Sequence, residues 1–216
     1  MKLQVYISWA EHWNVIVQIS KTLHVTNRDE WRTWLENHHE TEPEIWLVYY
    51  KKATGKPRIS YNDAVEEALC FGWIDSNVKR IDDERHAQRF SPRRSKRGYS
   101  PANKERLKRL VEQGKVIQPV ITSLGDELSS RKIEIPPDIL DSIRADKEAW
   151  ENFQKFPEPY KRIRVGFIEG ARDRPAEFNK RLNYFVKMSR KNKLFGFGGI
   201  DVYYRDSADV PARISE

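Results

Sequence analysis

The residues best suited to chemistry are concentrated between positions 73 and 104 of the chain. They are one aromatic, one acidic, two small polar and five basic side chains: Trp73, Asp75, Ser100, Asn103, Arg80, Arg89, Arg93, Arg94 and Lys104. Guanidinium groups bind carboxylate or phosphate with two hydrogen bonds, and the free N–H groups at a helix N-terminus favour an anion. The set therefore predicts a binding site for a phosphate, a nucleotide or a carboxylate.

A structural role competes with this interpretation. Asp75 lies in a segment with the pattern of a β-hairpin, where it would form a cross-strand salt bridge with Arg89 or Arg80. Trp73 would then belong to the hydrophobic core. The sequence leaves the binding role and the structural role open.

Catalysis and metal binding have less support. An enzyme would use Asp75 as its base, with Tyr61 or Cys70 nearby, but no spacing in the chain requires a reaction. His38 and His39 are adjacent rather than four apart on one helix face, and a zinc site needs three or four convergent ligands. No phosphate-binding glycine motif is present, so the sequence predicts neither a metal nor a cofactor.

Nucleic acid is the rival partner for the basic region. Between Arg89 and Arg109 basic residues alternate with Phe90 and Tyr99, as base stacking with phosphate contacts requires. No recognition module is visible, so binding would rest on backbone phosphates and weaken steeply with salt.

The positive charge of the chain is confined to two segments. The net charge is +7, yet residues 79–114 hold twelve Lys/Arg against five Asp/Glu, and residues 160–193 hold eleven against three. The rest of the chain is therefore acidic. If both segments lie on one face, they would attract an anionic small molecule or an acidic protein partner.

Composition predicts a soluble cytoplasmic protein. Cys70 is the only cysteine, so no intramolecular disulfide can form. No apolar run approaches the roughly 20 residues that a membrane helix needs, so we expect no membrane insertion. The sequence does not fix an oligomeric state.

The elements that must position the candidate residues follow from apolar spacing and capping signals. The pattern predicts a helix after Asn27, a strand at 45–50 buried on both faces, and a helix after Ser60. Two β-like runs on either side of Asp82–Asp83 predict a hairpin. A further helix is predicted over 100–114, because serine is a good N-cap and proline loses no hydrogen bond at the first helical position.

The predicted fold class is α+β, with a small sheet and flanking helices in the N-terminal half and an all-helical C-terminal half. The predicted organisation is a lead-in (1–20), an α/β half with the hairpin and the basic loop (21–114), an irregular linker (115–136), a helical half (137–196) and a tail (197–216).

Four groups of sequence stretches together resemble a known family. They are Thr26 to Trp31 with Glu44 to Lys52, Tyr61 to Ser76, Arg89 to Arg94 with Ser100 to Arg106, and Ala149 to Phe153 with Lys180 to Leu182 and Asn192 to Gly196. From about residue 21 to about residue 196 the chain resembles the YdeI/OmpD-associated family, also called bacteriocin-protection proteins. The run from Cys70 to Asp75 is the most specific part of the likeness, and the final helices are the least. The resemblance implies a link to envelope stress or bacteriocin tolerance and supplies no catalytic residue.

Overall fold

The computed structural model of the chain describes residues 18–94, 98–128 and 134–196. Most of the predicted lead-in (1–17) and the predicted tail (197–216) lie outside the described residues. The fold is α+β as predicted, with a four-stranded sheet in the first half and helices alone in the described part of the second half.

The strands and helices have the following bounds. The strands are β1 (Thr22–Leu23), β2 (Ile45–Tyr50), β3 (Trp73–Arg80) and β4 (Arg85–Pro92). The helices are α1 (Arg28–His38), α2 (Tyr61–Cys70), α3 (Pro101–Glu112), α4 (Gln118–Leu124), α5 (Pro137–Arg144), α6 (Lys147–Lys155), α7 (Glu158–Glu169) and α8 (Pro175–Arg190).

The sheet has the strand order β1-β2-β4-β3. β1 pairs in parallel with β2, whereas β4 is antiparallel to both β2 and β3. The predicted hairpin is confirmed as β3 and β4. Its acidic turn is held by Asp82, whose Oδ1 accepts the backbone N–H groups of Glu84 and Arg85 at 2.9 and 2.8 Å.

α1 begins at the predicted cap. Asn27 Oδ1 accepts the backbone N–H groups of Asp29 and Glu30, both at 3.0 Å. The Glu30 carboxylate in turn accepts the N–H of Thr26 at 2.8 Å. The returning hydrogen bond of the capping box is therefore made with the residue before the N-cap, and not with the N-cap itself. The predicted serine caps of α2 and α3 are also formed.

The first hydrophobic core lies between one face of the sheet and helices α1 to α4. Strand β2 is buried on both faces as predicted, since the neighbouring Trp46 and Leu47 point to opposite sides and both are 0% exposed.

The prediction of an irregular segment over 115–136 is wrong in part, because α4 lies within it. Val120 and Leu124 of α4 are buried in the first core. The helix is hard to predict because it has only seven residues and includes Pro119 together with three β-branched residues. Residues 129–133 of the predicted linker lie outside the described ranges.

The second core is built from α5 to α8, around residues such as Ile139, Phe153 and Phe185. The two cores meet where α3 packs on α7. Glu105 accepts two hydrogen bonds from Arg162 there, from Nε at 2.7 Å and from Nη2 at 2.8 Å. None of the helices in the described ranges is long and apolar enough to span a bilayer.

Candidate functional site

Trp73 is a core residue. It is 1% exposed, and its indole Nε1 donates to the backbone oxygen of His39 at 3.1 Å. Its ring packs edge-on against Trp34. The structural interpretation of Trp73 is thereby confirmed.

Two of the candidate arginines are already neutralised by carboxylates. Arg89 Nε donates to Glu44 Oε2 at 2.6 Å. Hydrogen bonds from Ser20 and then from Arg89 hold the pKa of Glu44 below its usual value, so the pair is ionised at neutral pH. Arg80 forms an exposed ion pair with Asp83 in the hairpin turn. Each of these two guanidinium groups therefore already has a carboxylate partner.

Asp75 faces the helices instead of a hairpin arginine. It lies opposite Phe90 in the strand register, so both side chains are on the helix-covered side, and Arg89 points to the other side. The predicted salt bridge between Asp75 and a hairpin arginine is therefore wrong. Asp75 Oδ2 accepts hydrogen bonds from Tyr61 Oη at 2.9 Å and from Gln88 Nε2 at 2.8 Å.

The basic loop after β4 offers little surface for stacking. The guanidinium of Arg93 lies 4.0 Å from the centre of the Tyr99 ring, and Arg94 is exposed. Phe90 and Tyr99 are both buried. Because the two aromatic rings are not exposed, they cannot stack on bases as the nucleic-acid interpretation requires.

The N-terminus of α3 brings together two further candidates. Ser100 Oγ accepts the N–H of Asn103 at 3.3 Å, so the serine caps its own helix. Asn103 is buried, and its Oδ1 accepts from Nη1 of Arg106 at 2.9 Å. Lys104 is half-buried beside them. The contacts thus divide the nine candidates among several places rather than one site.

Arg106, which is absent from the sequence-based candidates, is a buried arginine with an unusual environment. It is 5% exposed, and Nη2 donates to Oδ1 of Asn62 at 3.2 Å. Within the described ranges, its Nε has no hydrogen-bond partner and no carboxylate pairs with it. Its charge is therefore buried against neutral amide oxygens alone. Buried charges are normally paired, because removing a charge from water is costly.

Two tyrosines interact electrostatically with Asp75. Tyr61 precedes Asn62 in the first turn of α2, and burial followed by the charge of Asp75 raises the pKa of Tyr61 to about 12, with Arg106 acting in the opposite sense. Tyr49 is 2% exposed, and its Oη has no partner in the described chain. Burial and then the charges of Tyr61 and Asp75 raise the pKa of Tyr49 as well. Both phenols are therefore protonated at neutral pH.

These contacts define one group of side chains at the junction of the sheet, α2 and α3. We name it the polar cluster; its members are Tyr49, Tyr61, Asn62, Asp75, Gln88, Asn103 and Arg106. The cluster retains Asp75 and Asn103 of the sequence-based candidates. It can donate through a guanidinium and two phenols, and it can accept through one carboxylate.

Cys70 and the histidines considered as metal ligands are not members of the polar cluster. Cys70 is buried, and burial raises the pKa of its thiol to about 12, so the thiolate needed for nucleophilic attack is scarce at neutral pH. In the part of the chain that the structure describes, no three His, Cys, Asp or Glu side chains are grouped so as to hold a metal ion.

Two parts of the chain match known protein families. Residues 23–122 match a domain of unknown function, DUF8412. Residues 132–192 match the family described as bacteriocin-protection, YdeI or OmpD-associated. All members of the polar cluster lie in the first match, as does the run from Cys70 to Asp75, whereas α5 to α8 lie in the second. No curated protein and no solved structure matches the chain.

Proposed function

We propose that the α/β half of this protein binds a small anionic ligand; the helical part, residues 132–192, matches the family described as bacteriocin-protection, YdeI or OmpD-associated. The ligand carries a carboxylate or a phosphate group, and Arg106 is the residue that binds it. The proposal keeps the anion site expected from the sequence and moves it from the basic loop to the polar cluster.

One observation carries the proposal: Arg106 is buried with amide oxygens as its hydrogen-bond partners, and its Nε has no partner among the residues that the structure describes. Asn62 and Asn103 orient the guanidinium without neutralising it. An incoming anion would supply the missing charge and accept a hydrogen bond from the unpartnered Nε–H; such a charge-assisted hydrogen bond is stronger than a neutral one. The two asparagines therefore position the arginine for a ligand.

The first turn of α3 supports the same conclusion. Asn103 lies in the first turn of this twelve-residue helix, where the backbone dipole favours negative charge, and its Oδ1 accepts a hydrogen bond from Arg106 of the second turn at 2.9 Å. Lys104 is a half-buried cation of the first turn. A negative group near Arg106 would therefore lie in a field of favourable sign.

The family description supports a part in bacteriocin protection, and the single cysteine of the chain supports a cytoplasmic location. In this proposal the protein contributes to tolerance by binding a small metabolite in the cytoplasm.

A thermal-shift titration with inorganic phosphate, acetate and succinate tests the anion site. At a ligand concentration of 100 Kd we expect the wild-type Tm to rise by about 5–10 °C. Arg106→Gln should abolish this rise, because the glutamine keeps a hydrogen-bond donor but carries no charge. The Tm of the variant without ligand is measured as well, because removing the buried charge stabilises the fold whereas losing the hydrogen bonds to Asn62 and Asn103 destabilises it.

Arg80→Gln is the matched control, since it removes an arginine whose partner is already an exposed carboxylate. It should retain the full ligand-induced rise. If wild type shows no rise with any of the three anions, or if Arg106→Gln rises as much as the control, the proposed function is wrong.

A further inference from the structure

Resting on the proposed anion site, we propose that its ligand also carries a protonated amino group, and that Asp75 and Tyr49 bind this group. The ligand class is then a small zwitterion, with a carboxylate or phosphate at one end and an ammonium at the other. Amino acids and phosphorylated amines are of this kind.

The polar cluster has opposite charges at its two ends. Arg106 supplies the positive end, and Asp75, half-buried on β3, supplies the negative end. The two are linked through adjacent residues of α2: Asn62 contacts Arg106 at 3.2 Å, and Tyr61 contacts Asp75 at 2.9 Å. Arg106 and Asp75 are not paired with each other, although a direct ion pair would be the simplest way to neutralise both.

Asp75 has capacity for a further donor. Its Oδ2 accepts from Tyr61 and Gln88, and its Oδ1 receives no hydrogen bond from the described residues. A carboxylate has about four lone-pair sites, so an ammonium group can be added without breaking either existing bond.

Tyr49 provides the second, independent observation. Its Oη is buried and without a partner in the described chain, and an unsatisfied buried hydroxyl is unfavourable. The side chain lies on the helix-covered face of β2, where Tyr61, Asp75 and, with a weaker effect, the cation Arg58 are its electrostatic neighbours. A phenol oxygen can accept a hydrogen bond from an ammonium group, which would give the buried oxygen of Tyr49 a partner.

Isothermal titration of matched probes tests the inference. Propionate is compared with β-alanine, which adds an amino group to the same carbon chain. Inorganic phosphate is compared with phosphoethanolamine, which adds an aminoethyl group to the phosphate. We expect the amine-bearing probe of each pair to bind wild type about tenfold to a hundredfold more tightly, as a charge-assisted hydrogen bond supplies.

Tyr49→Phe is the decisive variant, since it removes no hydrogen bond of the described chain and should melt at or above the wild-type temperature. It should reduce the preference for the amine-bearing probes at least threefold while leaving propionate and phosphate affinities unchanged. Asp75→Asn should abolish the preference altogether, and Arg106→Gln should abolish binding of all four probes.

Each other outcome counts against a particular claim. Equal affinities within both pairs in wild type overturn the inference and leave the proposed anion site standing. The inference is also overturned if 3-hydroxypropionate binds as tightly as β-alanine, or if Tyr49→Phe and Asp75→Asn keep the wild-type preference. If none of the four probes binds wild type, the proposed function fails, and the inference that rests on it fails too.

Discussion

Two buried charges of this protein have contrasting surroundings. Glu67 is 2% exposed and is held by two arginines: Arg28 Nε donates to it at 2.8 Å and Arg32 Nη1 at 2.9 Å. This set of bonds ties α1 to α2. Arg106 has a similar burial but amide partners alone among the described residues. Glu67 is therefore a structural group, and Arg106 has the features of a binding group.

Neutralising Glu67 should be costly. We expect Glu67→Gln to lower the free energy of unfolding by about 3 kcal/mol, because the change leaves two partly buried guanidinium groups without their shared carboxylate. Urea denaturation at pH 7 measures the loss.

Glu36→Gln is the matched control for this measurement. Glu36 pairs with the same Arg32 at 3.1 Å, but its side chain is 51% exposed, and an exposed pair of this kind contributes below about 0.5 kcal/mol. Equal losses in the two variants would show that the bonds between α1 and α2 are no stronger than a surface ion pair.

Some members of the polar cluster can be predicted from the sequence, and others cannot. Tyr61 is expected near Asp75, and the structure joins them by a hydrogen bond. Arg106 is one of twelve basic residues in its segment, and a charge count cannot tell a buried cation from an exposed one. Its spacing is the available signal, since Arg106 lies three residues after Asn103 and one before Leu107, on the buried face of α3.

α3 connects the two cores. Its Leu107 and Leu110 belong to the first core, while Glu105 binds Arg162 of α7. The helix also carries Arg106 of the polar cluster, so the proposed site and the contact with the second core share one rigid element.

The close approach of α3 to α7 depends on Gly166. A Cβ at this position would lie 2.4 Å from Cγ of Pro101, which is shorter than any real contact. An alanine in the middle of a helix normally adds stability, but here we expect Gly166→Ala to cost about 1–3 kcal/mol through overpacking. Chemical denaturation measures the change.

Gly170→Ala controls for helix propensity in the same region. Gly170 has helical backbone angles, and its added Cβ would meet nothing closer than the Gly166 oxygen at 3.4 Å. The control should be neutral or should gain up to about 1 kcal/mol. If Gly166→Ala behaves like the control, the packing of α3 on α7 is looser than the structure indicates.

Local chemistry explains which elements the sequence predicts. The caps at Asn27, Ser60 and Ser100 act within three residues of themselves, so their helices are visible in the sequence. α4 is stabilised by distant contacts. Gly72 has a φ of +73°, and an added Cβ there would lie 3.1 Å from Val120 of α4. This contact forms only when distant parts of the chain have folded together. The seven residues of α4 are too few to show a helical period in the sequence.

Charge pairing extends over both halves of the protein and sets its response to acid. Hydrogen bonds from arginines hold the pKa values of several carboxylates below their usual range; these are Asp82, Asp138, Asp146 and Glu177. A carboxyl group whose pKa is lower in the folded state stabilises the fold above its unfolded pKa, near 4. This contribution to stability is lost as the pH falls through the pKa that the carboxyl group has in the folded state.

His86 should make the protein sensitive to milder acid. Burial, followed by the charges of Arg58 and Lys51, lowers the pKa of His86, whose ring stacks on Tyr49. An unfolded histidine takes up a proton near pH 6.5, whereas the folded one stays neutral to lower pH, so protonation favours the unfolded chain. The free energy of unfolding should therefore be level between pH 8 and pH 7.

We then expect this free energy to decline in two steps, below about pH 6.5 from His86 and below about pH 4 from the carboxylates. Urea titrations at intervals of half a pH unit resolve the steps. His86→Asn should remove the first step and keep the second, while His24→Asn should keep both. A first step that survives His86→Asn would mean that another group takes up the proton, and that burial beside Tyr49 does not keep His86 neutral.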